Sequence, residues 1–335
     1  MRWLRLLAVA LVALGAVAYV LLGTYGRAPV DPAWAALPSR EIPPGAVTVR
    51  FTGTATLVFS DGETTWLTDC WFSRPGPLSL LFGEIEPDVD AIERGLARNE
   101  LTKAAAVFPM HSHYDHAMDA PEVARRTGAL LLGSESTANI GRGWGLAESQ
   151  IRVVADREPI PLGKFTLTPI ESRHFEFPDP TLRERALGDP EIRAPLVPPV
   201  GAFEYKLGKA YVLHVAHPRG SFLVVGSAGY VPGGLEGFAA DVVFLGIGGL
   251  GTQTEAYRED YWRETIGLAK PRRVIPIHFD TLTGPIEGPF TGEVRAGSVL
   301  SSGGDRTLAF LRAKAAAHAE IEFVTLPRYA PVVVF

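Results

Sequence analysis

One hexapeptide, His-Ser-His-Tyr-Asp-His at residues 111–116, limits more than any other stretch what this chain can fold into. It gathers four strong metal-binding side chains, His111, His113, Asp115 and His116, into six positions. The apolar run Ala104-Ala105-Ala106-Val107-Phe108-Pro109-Met110 precedes it directly. A short aliphatic run of this kind reads as a buried strand whose end delivers the ligands into a loop. Imidazole and carboxylate together suit zinc or a similar first-row divalent ion. The hexapeptide therefore predicts a metal site at the end of a strand.

At 335 residues the chain is long enough for one large domain or two small ones, with a substantial buried core. A net charge of −5 argues against general nucleic-acid binding, which needs a basic face. The single cysteine, Cys70, excludes an intrachain disulfide and reads as a small buried side chain.

Targeting information lies at the start. Met1-Arg2-Trp3-Leu4-Arg5 precedes an uncharged apolar stretch over residues 6–23, roughly a membrane span in length. Ala16-Val17-Ala18 offers a cleavage site, but Tyr19-Val20-Leu21-Leu22 carries the apolar run past it, which favours an uncleaved anchor over a removable signal sequence. Arg2 and Arg5 before the span, against Arg27 after it, place the N-terminus in the cytoplasm and the rest outside, on the periplasmic or extracellular side. A cleaved leader would instead give an exported soluble protein. The expected organisation is anchor or signal over 1–24, a Pro- and Ala-rich linker over 25–44, and a single domain over 45–335.

Within that domain, residues 47–59 read as a strand, Asp61-Gly62 as a tight turn and 64–68 as the partner strand, ending at Asp69. Helical spacing covers 87–99, a short helix 120–126, and strands 129–132, 151–154 and 165–172. Residues 175–200, with six prolines, read as a loop. Strands follow at 211–214, 222–225, 242–245, 274–278 and near 321–324, with helices at 255–268 and 307–318. Strands first meander and later alternate with helices, so an α+β fold with sheets between helix layers is expected.

Two more histidines stand where strands end: His174 and His278. With the hexapeptide they make six ligands, divisible into two groups of three, and a catalytic zinc typically keeps three protein ligands and an open position. At this point the chain resembles the metallo-β-lactamase superfamily, whose His-x-His-x-Asp-His hallmark matches residues 111–116. The resemblance spans roughly 45–335 and implies a four-layer αβ/βα sandwich with the site at one edge. It implies that His111, His113 and His174 hold one ion, and Asp115, His116 and His278 a second. It makes Asp69 a carboxylate that orients a ligand from behind. The implied cofactor is Zn2+, one or two ions, with Mn2+ or Fe2+ suited to the same donors.

One position departs from the family. Where it normally carries a bridging aspartate after a strand, the sequence 222–229 places Ser227, a poor ligand at neutral pH. One carboxylate fewer leaves the site more positive, which favours ionisation of bound water and weakens the second ion. The implied chemistry is hydrolysis, with Asp115 and His116 at the catalytic centre. Tyr114 either packs or contacts substrate. The variant His-x-His-Tyr-Asp-His further resembles the branch of N-acyl-phosphatidylethanolamine-hydrolysing phospholipase D and the ascorbate-6-phosphate lactonase-like proteins, which implies an ester-type bond in a small-molecule or lipid-like substrate, with the membrane as partner through the anchor.

Other patterns carry less. Gly246, Gly248 and Gly251 form G-x-G-x-x-G after a strand, but the next strand's acidic residue, Asp280, falls far beyond the interval of a dinucleotide site, so a glycine-rich turn beside the active site is expected. His214, His217 and His318 read as structural or surface residues, and Arg173 and Arg219 as surface cations. No Gly-x-Ser-x-Gly elbow exists. Two function classes follow: a metal-dependent hydrolase, or a metal- or partner-binding protein on the same fold with chemistry impaired by Ser227.

Overall fold

The computed structural model describes residues 2–39, 41–295 and 303–335. The N-terminal apolar stretch is helix α1 (Arg2–Gly23), 22 residues long with none of them buried, and long and apolar enough to cross a membrane. Strand β1 (Tyr25–Arg27) follows, and then the meander β2 (Thr48–Gly53), β3 (Thr56–Ser60) and β4 (Thr65–Thr68). Helix α2 (Pro77–Phe82), β5 (Glu84–Ile85) and α3 (Val89–Arg98) lead into β6 (Ala106–Phe108). Next come α4 (Tyr114–Ala117), α5 (Ala120–Thr127), β7 (Leu130–Gly133), α6 (Glu135–Gly143) and β8 (Ile151–Val153). The second half begins with β9 (Ile160–Leu162), β10 (Phe165–Ser172), α7 (Pro180–Leu187), β11 (Val200–Gly201), β12 (Ala210–His217) and β13 (Gly220–Val225). It closes with β14 (Val242–Gly246), α8 (Glu255–Trp262), β15 (Arg273–Ile277), β16 (Thr291–Val294), α9 (Gly303–Ala317), β17 (Glu322–Phe323) and β18 (Val332–Val333).

Two seven-stranded sheets face each other, in the orders β18-β2-β3-β4-β6-β7-β8 and β17-β15-β14-β13-β12-β10-β9. The period-two alternation of side chains decides which residues fill each layer. On β3 and β4, Leu57, Phe59 and Trp66 point into the core between the sheets, while Val58 and Leu67 point outward. Phe59 stacks on Trp66 at 4.7 Å and on Phe222 of the opposite sheet at 4.6 Å, joining the two layers. The outer face of the first sheet is covered by Ile92 and Leu96 of α3 and Val123 and Ala124 of α5. The second is covered by Tyr261 and Trp262 of α8 and Phe310 and Leu311 of α9. The result is the expected helix–sheet–sheet–helix sandwich.

Three local readings differ. The stretch 47–59 is two strands, folded back at Thr54, so that Phe51 pairs with Leu57 and Gly53 with Thr56. Thr54 sits at φ +49°, a costly conformation for a β-branched residue. It is held there because its N–H donates to Asp280 and its carbonyl accepts from the His278 N–H. The Pro-rich stretch 175–200 contains α7, whose Asp179 caps Leu182 N at 2.7 Å. Part of the stretch 25–44, expected as a spacer, lies against the domain. Tyr25 pairs with Val294 and Arg27 with Thr291, Trp34 packs on Phe323 at 5.0 Å, and Asp31 bonds Arg312 at 2.6 Å. Low periodicity does not preclude docking when single aromatic and charged side chains find long-range partners.

Candidate functional site

The strands deliver their C-terminal ends to one edge. β4 and β6 run parallel, as do β13, β14 and β15, and β10 shares the direction of β13 through the antiparallel β12 between them. Asp69, the hexapeptide, His174, Ser227 and His278 each follow one of these ends, where open α/β sheets place their ligands. Met110 N donates to Asp69 Oδ1 at 2.6 Å, and Asp69 N donates to Phe108 O at 3.1 Å, which locks the two parallel strand ends together. Asp69 and His278 both adopt positive φ, +45° and +58°. Conformations so rarely used by non-glycine residues persist where the surroundings over-determine them, typically at functional sites.

All six expected ligands come together, in the expected two groups: His111, His113 and His174, and Asp115, His116 and His278, with the ligand atoms in each group within 4.8 Å of one another. In the second group His116 Nε2 lies 3.2 Å from His278 Nε2 and 3.4 Å from Asp115 Oδ2, and His278 Nε2 lies 3.2 Å from the same oxygen. The centre of that triangle is about 1.9 Å from each atom, against zinc bond lengths of about 2.0–2.2 Å to nitrogen and oxygen. In the first group His111 Nε2 lies 3.1 Å from His113 Nδ1. The His111 and His116 rings, 3.8 Å apart, make the two groups contiguous.

The other ring nitrogens explain which atoms face inward. His113 Nε2 donates to Ala186 O at 3.2 Å and His174 Nδ1 to Phe175 O at 2.7 Å, leaving a lone pair on the opposite nitrogen of each. His116 Nδ1 stands 2.9 Å from Asp69 Oδ2, both side chains being almost fully buried. A carboxylate there favours the proton on Nδ1 and keeps Nε2 free as a ligand. The Ala186 carbonyl belongs to α7, so the helix unread in the sequence orients one of the six candidate ligands.

Electrostatics suit a cation. Burial, reinforced by neighbouring imidazoles, drives His111 and His174 well below the usual histidine range. Burial likewise brings His113 down to about 4, against an opposing pull from Asp115, so all three are neutral and ligand-competent at pH 7. Burial also acts on His116, but Asp69 and Asp115 outweigh it and raise its pKa to about 10. Despite burial, His116 and His278 hold Asp115 well below the usual carboxylate range. The space between Asp69 and Asp115 thus favours positive charge. A divalent ion supplies that charge, and the donor set and spacing fit one.

Ser227 follows β13, and its Oγ is buried without a hydrogen-bond partner. The neighbouring Gly226 packs on Met110, where a Cβ would fall 2.5 Å from that side chain and 3.9 Å from Asp69 Oδ2. Of the G-x-G-x-x-G run, Gly248 abuts the site, where a Cβ would meet His278 Nδ1 at 2.6 Å, while a Cβ on Gly251 would meet Gly303 O of α9. Tyr114 packs against Trp71 with ring centroids 5.4 Å apart. His214 bonds Ala239 O, His217 stands 3.4 Å from the buried Asp61, His318 packs on Trp262, and Arg219 reaches Pro44 O, so none of these joins the ligand groups.

Two supports escaped sequence reasoning. Asp280 pairs with Arg74 beneath His278, and Asp119 accepts three hydrogen bonds from Phe72 and Ser73 in the loop after β4. Their only sequence signal is position: Asp280 is two residues past His278, and Asp119 three past His116.

A family model described as Beta-lactamase superfamily domain matches residues 64–279, well over half the chain. Among solved structures, the chain is similar to Igni18, a metallo hydrolase from the hyperthermophilic archaeon Ignicoccus hospitalis KIN4/I, at 16% identity and a TM-score of 0.51, over 87% of this chain and 99% of that one. It is also similar to the isothiocyanate hydrolase from Delia radicum gut bacteria, at 18% identity and a TM-score of 0.50, over 85% and 98% of the two chains. No curated protein matches. With the two-sheet sandwich, the hexapeptide after β6 and the family match in agreement, this chain belongs to the metallo-β-lactamase superfamily.

Proposed function

We propose that this protein is a metal-dependent hydrolase acting on an ester-type bond, a phosphodiester or a lactone. The observation that carries the reading is the triangle of Asp115 Oδ2, His116 Nε2 and His278 Nε2, with edges of 3.2–3.4 Å, set against a second group of three imidazoles. His111, His113 and His174 would hold one divalent ion and Asp115, His116 and His278 another, with zinc, manganese or iron(II) suited to these donors. Such an ion supplies hydroxide at neutral pH, by lowering the pKa of water to about 7, and polarises the scissile group.

The chain's own residues do the rest. Asp69 fixes the His116 tautomer, and the Ala186 and Phe175 carbonyls fix those of His113 and His174. Asp115 is the one carboxylate in the two groups, so it supplies their one negative charge. Burial keeps the Tyr114 phenol protonated, so it can donate a hydrogen bond but not act as a base. Ser227 supports a second reading, a binding protein of the same fold with impaired chemistry, because no carboxylate bridges the groups.

A panel of aryl phosphodiesters, lactones and thioesters, assayed with the wild-type chain and with His116→Ala, separates the two. Turnover that His116→Ala abolishes supports the hydrolase. Retained metal with no turnover on any member, restored by Ser227→Asp, supports the binding reading.

A further inference from the structure

Helix α2 is short, uncharged and turned outward. Leu80 packs inward with Trp71 and Tyr205, while Leu78, Leu81 and Phe82 are 59%, 52% and 85% exposed. Outside α1, the other large exposed apolar residues among those described, Leu37, Ile42, Val153 and Val197, are scattered singly. Scattered apolar residues need no explanation, but three on six residues beside a site do.

The segment after His278 ties α2 to the end of α1. Tyr25 OH donates to Thr283 O at 3.0 Å, Trp71 Nε1 donates to Leu282 O at 2.9 Å, and the Arg74 guanidinium donates to Thr281 O. Three consecutive carbonyls, beginning three residues past a ligand of the site, thus hold both the stem of α1 and the loop that leads into α2. α1 ends at Gly23, two residues before Tyr25, so it leaves the fold within about 7 Å of chain from this point. α2 begins at Pro77, three residues after Arg74. A helix that crosses a bilayer keeps its flanking residues at the interface, where aromatic and aliphatic side chains partition.

We propose that α2 is a second membrane contact: Leu78, Leu81 and Phe82 enter the surface of the same bilayer that α1 crosses, so that the ligand edge of the sandwich faces lipid and draws its substrate from amphiphiles held there. The substrate clause rests on the hydrolase reading; the contact itself does not. Glu84 is exposed just beyond Phe82 and α2 carries no cation, so the attachment is apolar and independent of anionic lipid.

The test uses the full chain in phosphatidylcholine vesicles with an environment-sensitive fluorophore on a single introduced cysteine. Cys70 is fully buried, and unlabelled wild type measures any background reaction. Phe82→Cys reports α2 and Leu11→Cys reports α1. Lys164→Cys reports the far end of the sandwich, because it precedes the eight-residue strand β10 and so stands about 25 Å of strand away from His174. The expected result is blue-shifted emission, quenched by spin-labelled lipid, at positions 82 and 11 and neither change at 164. Quenching at 11 without quenching at 82 overturns the proposal, and so does an absence of quenching at both.

A second arm compares the triple variant Leu78→Ser, Leu81→Ser, Phe82→Ser on a dispersed and on a vesicle-embedded ester. Turnover of the dispersed ester should be unchanged, and that of the embedded one should fall roughly tenfold or more, given the apolar area removed from the bilayer. Equal turnover losses on both overturn the substrate clause. If no ester is turned over by the wild type, the hydrolase reading and the substrate clause fall together, while the quenching result still decides the contact.

Discussion

Asp280 and Arg74 meet at 2.9 Å with side chains 0% and 3% exposed, two residues beyond His278. The pair is tied to the ligand through the backbone: Asp280 accepts from Thr54 N, and Thr54 O accepts from His278 N. Gly53 makes room for it at φ +129°, where a Cβ would stand 2.4 Å from Asp280 Oδ2. Arg74→Met leaves a buried carboxylate with Arg328 as its remaining cation, at 3.7 Å. Removing one partner of such a pair costs about 3–5 kcal/mol. Urea unfolding should show that loss, and Arg74→Met with Asp280→Asn should recover part of it. An unchanged midpoint in the single variant would contradict the assignment.

Asp69 accepts from Met110 N with one oxygen and faces His116 Nδ1 with the other. Asparagine offers one acceptor oxygen for those two donors, so Asp69→Asn turns an N–H against one of them. Divalent-metal affinity should fall about 10–100-fold, the usual effect of losing such an orienting carboxylate. Titration calorimetry on the metal-free protein measures it, with circular dichroism to show that the fold is kept.

Gly248 has an ordinary φ, so a substitution there acts through space alone. A Cβ would press on His278 Nδ1 at 2.6 Å and on its carbonyl oxygen at 2.9 Å. Gly248→Ala should therefore displace the His278 ring and lower occupancy of the second group, while leaving the first. Metal per chain, counted after dialysis against limiting zinc, should drop relative to wild type; equal counts would show that the ring has room to move.

Asp119 gives a pH signature. Burial raises its pKa to about 6, against the hydrogen bonds from Ser73 and Phe72. The folded pKa lies above the unfolded value near 3.8, so this carboxyl's contribution to stability is greatest below that pH and is lost as pH rises through about 6. At about 1.4 kcal/mol per unit the loss is roughly 3 kcal/mol. Asparagine can keep all three bonds, because the Ser73 hydroxyl that donates to Oδ1 can instead accept from the amide. Asp119→Asn should thus gain stability over wild type progressively from pH 4 to pH 7. A constant difference across that window would refute the shift.

Most of the candidate site was legible in the sequence because four of its six residues are local. The hexapeptide lies in one turn, and His174 and His278 follow strands whose apolar runs are plain. The helix-sheet layering was legible for the same reason, through alternation such as Leu57, Val58 and Phe59. What holds the ligands was not legible. Arg74 and Asp280 are 206 positions apart, and His113 leans on a carbonyl of α7, hidden among prolines. The turn at Thr54 sets a β-branched residue at positive φ beside Gly53, and that φ is held by Asp280 and His278 from across the fold. Local pattern reports which residues a strand presents; it does not report which distant backbone they will brace.

Metal content of the purified chain tests the central claim most directly. Elemental analysis of the wild type after desalting should find one to two equivalents of a divalent first-row ion per chain, and the double variant His111→Ala, His116→Ala should hold essentially none while remaining folded. A metal-free wild type that takes up no zinc on titration, or a double variant that keeps the wild-type complement, would contradict the account.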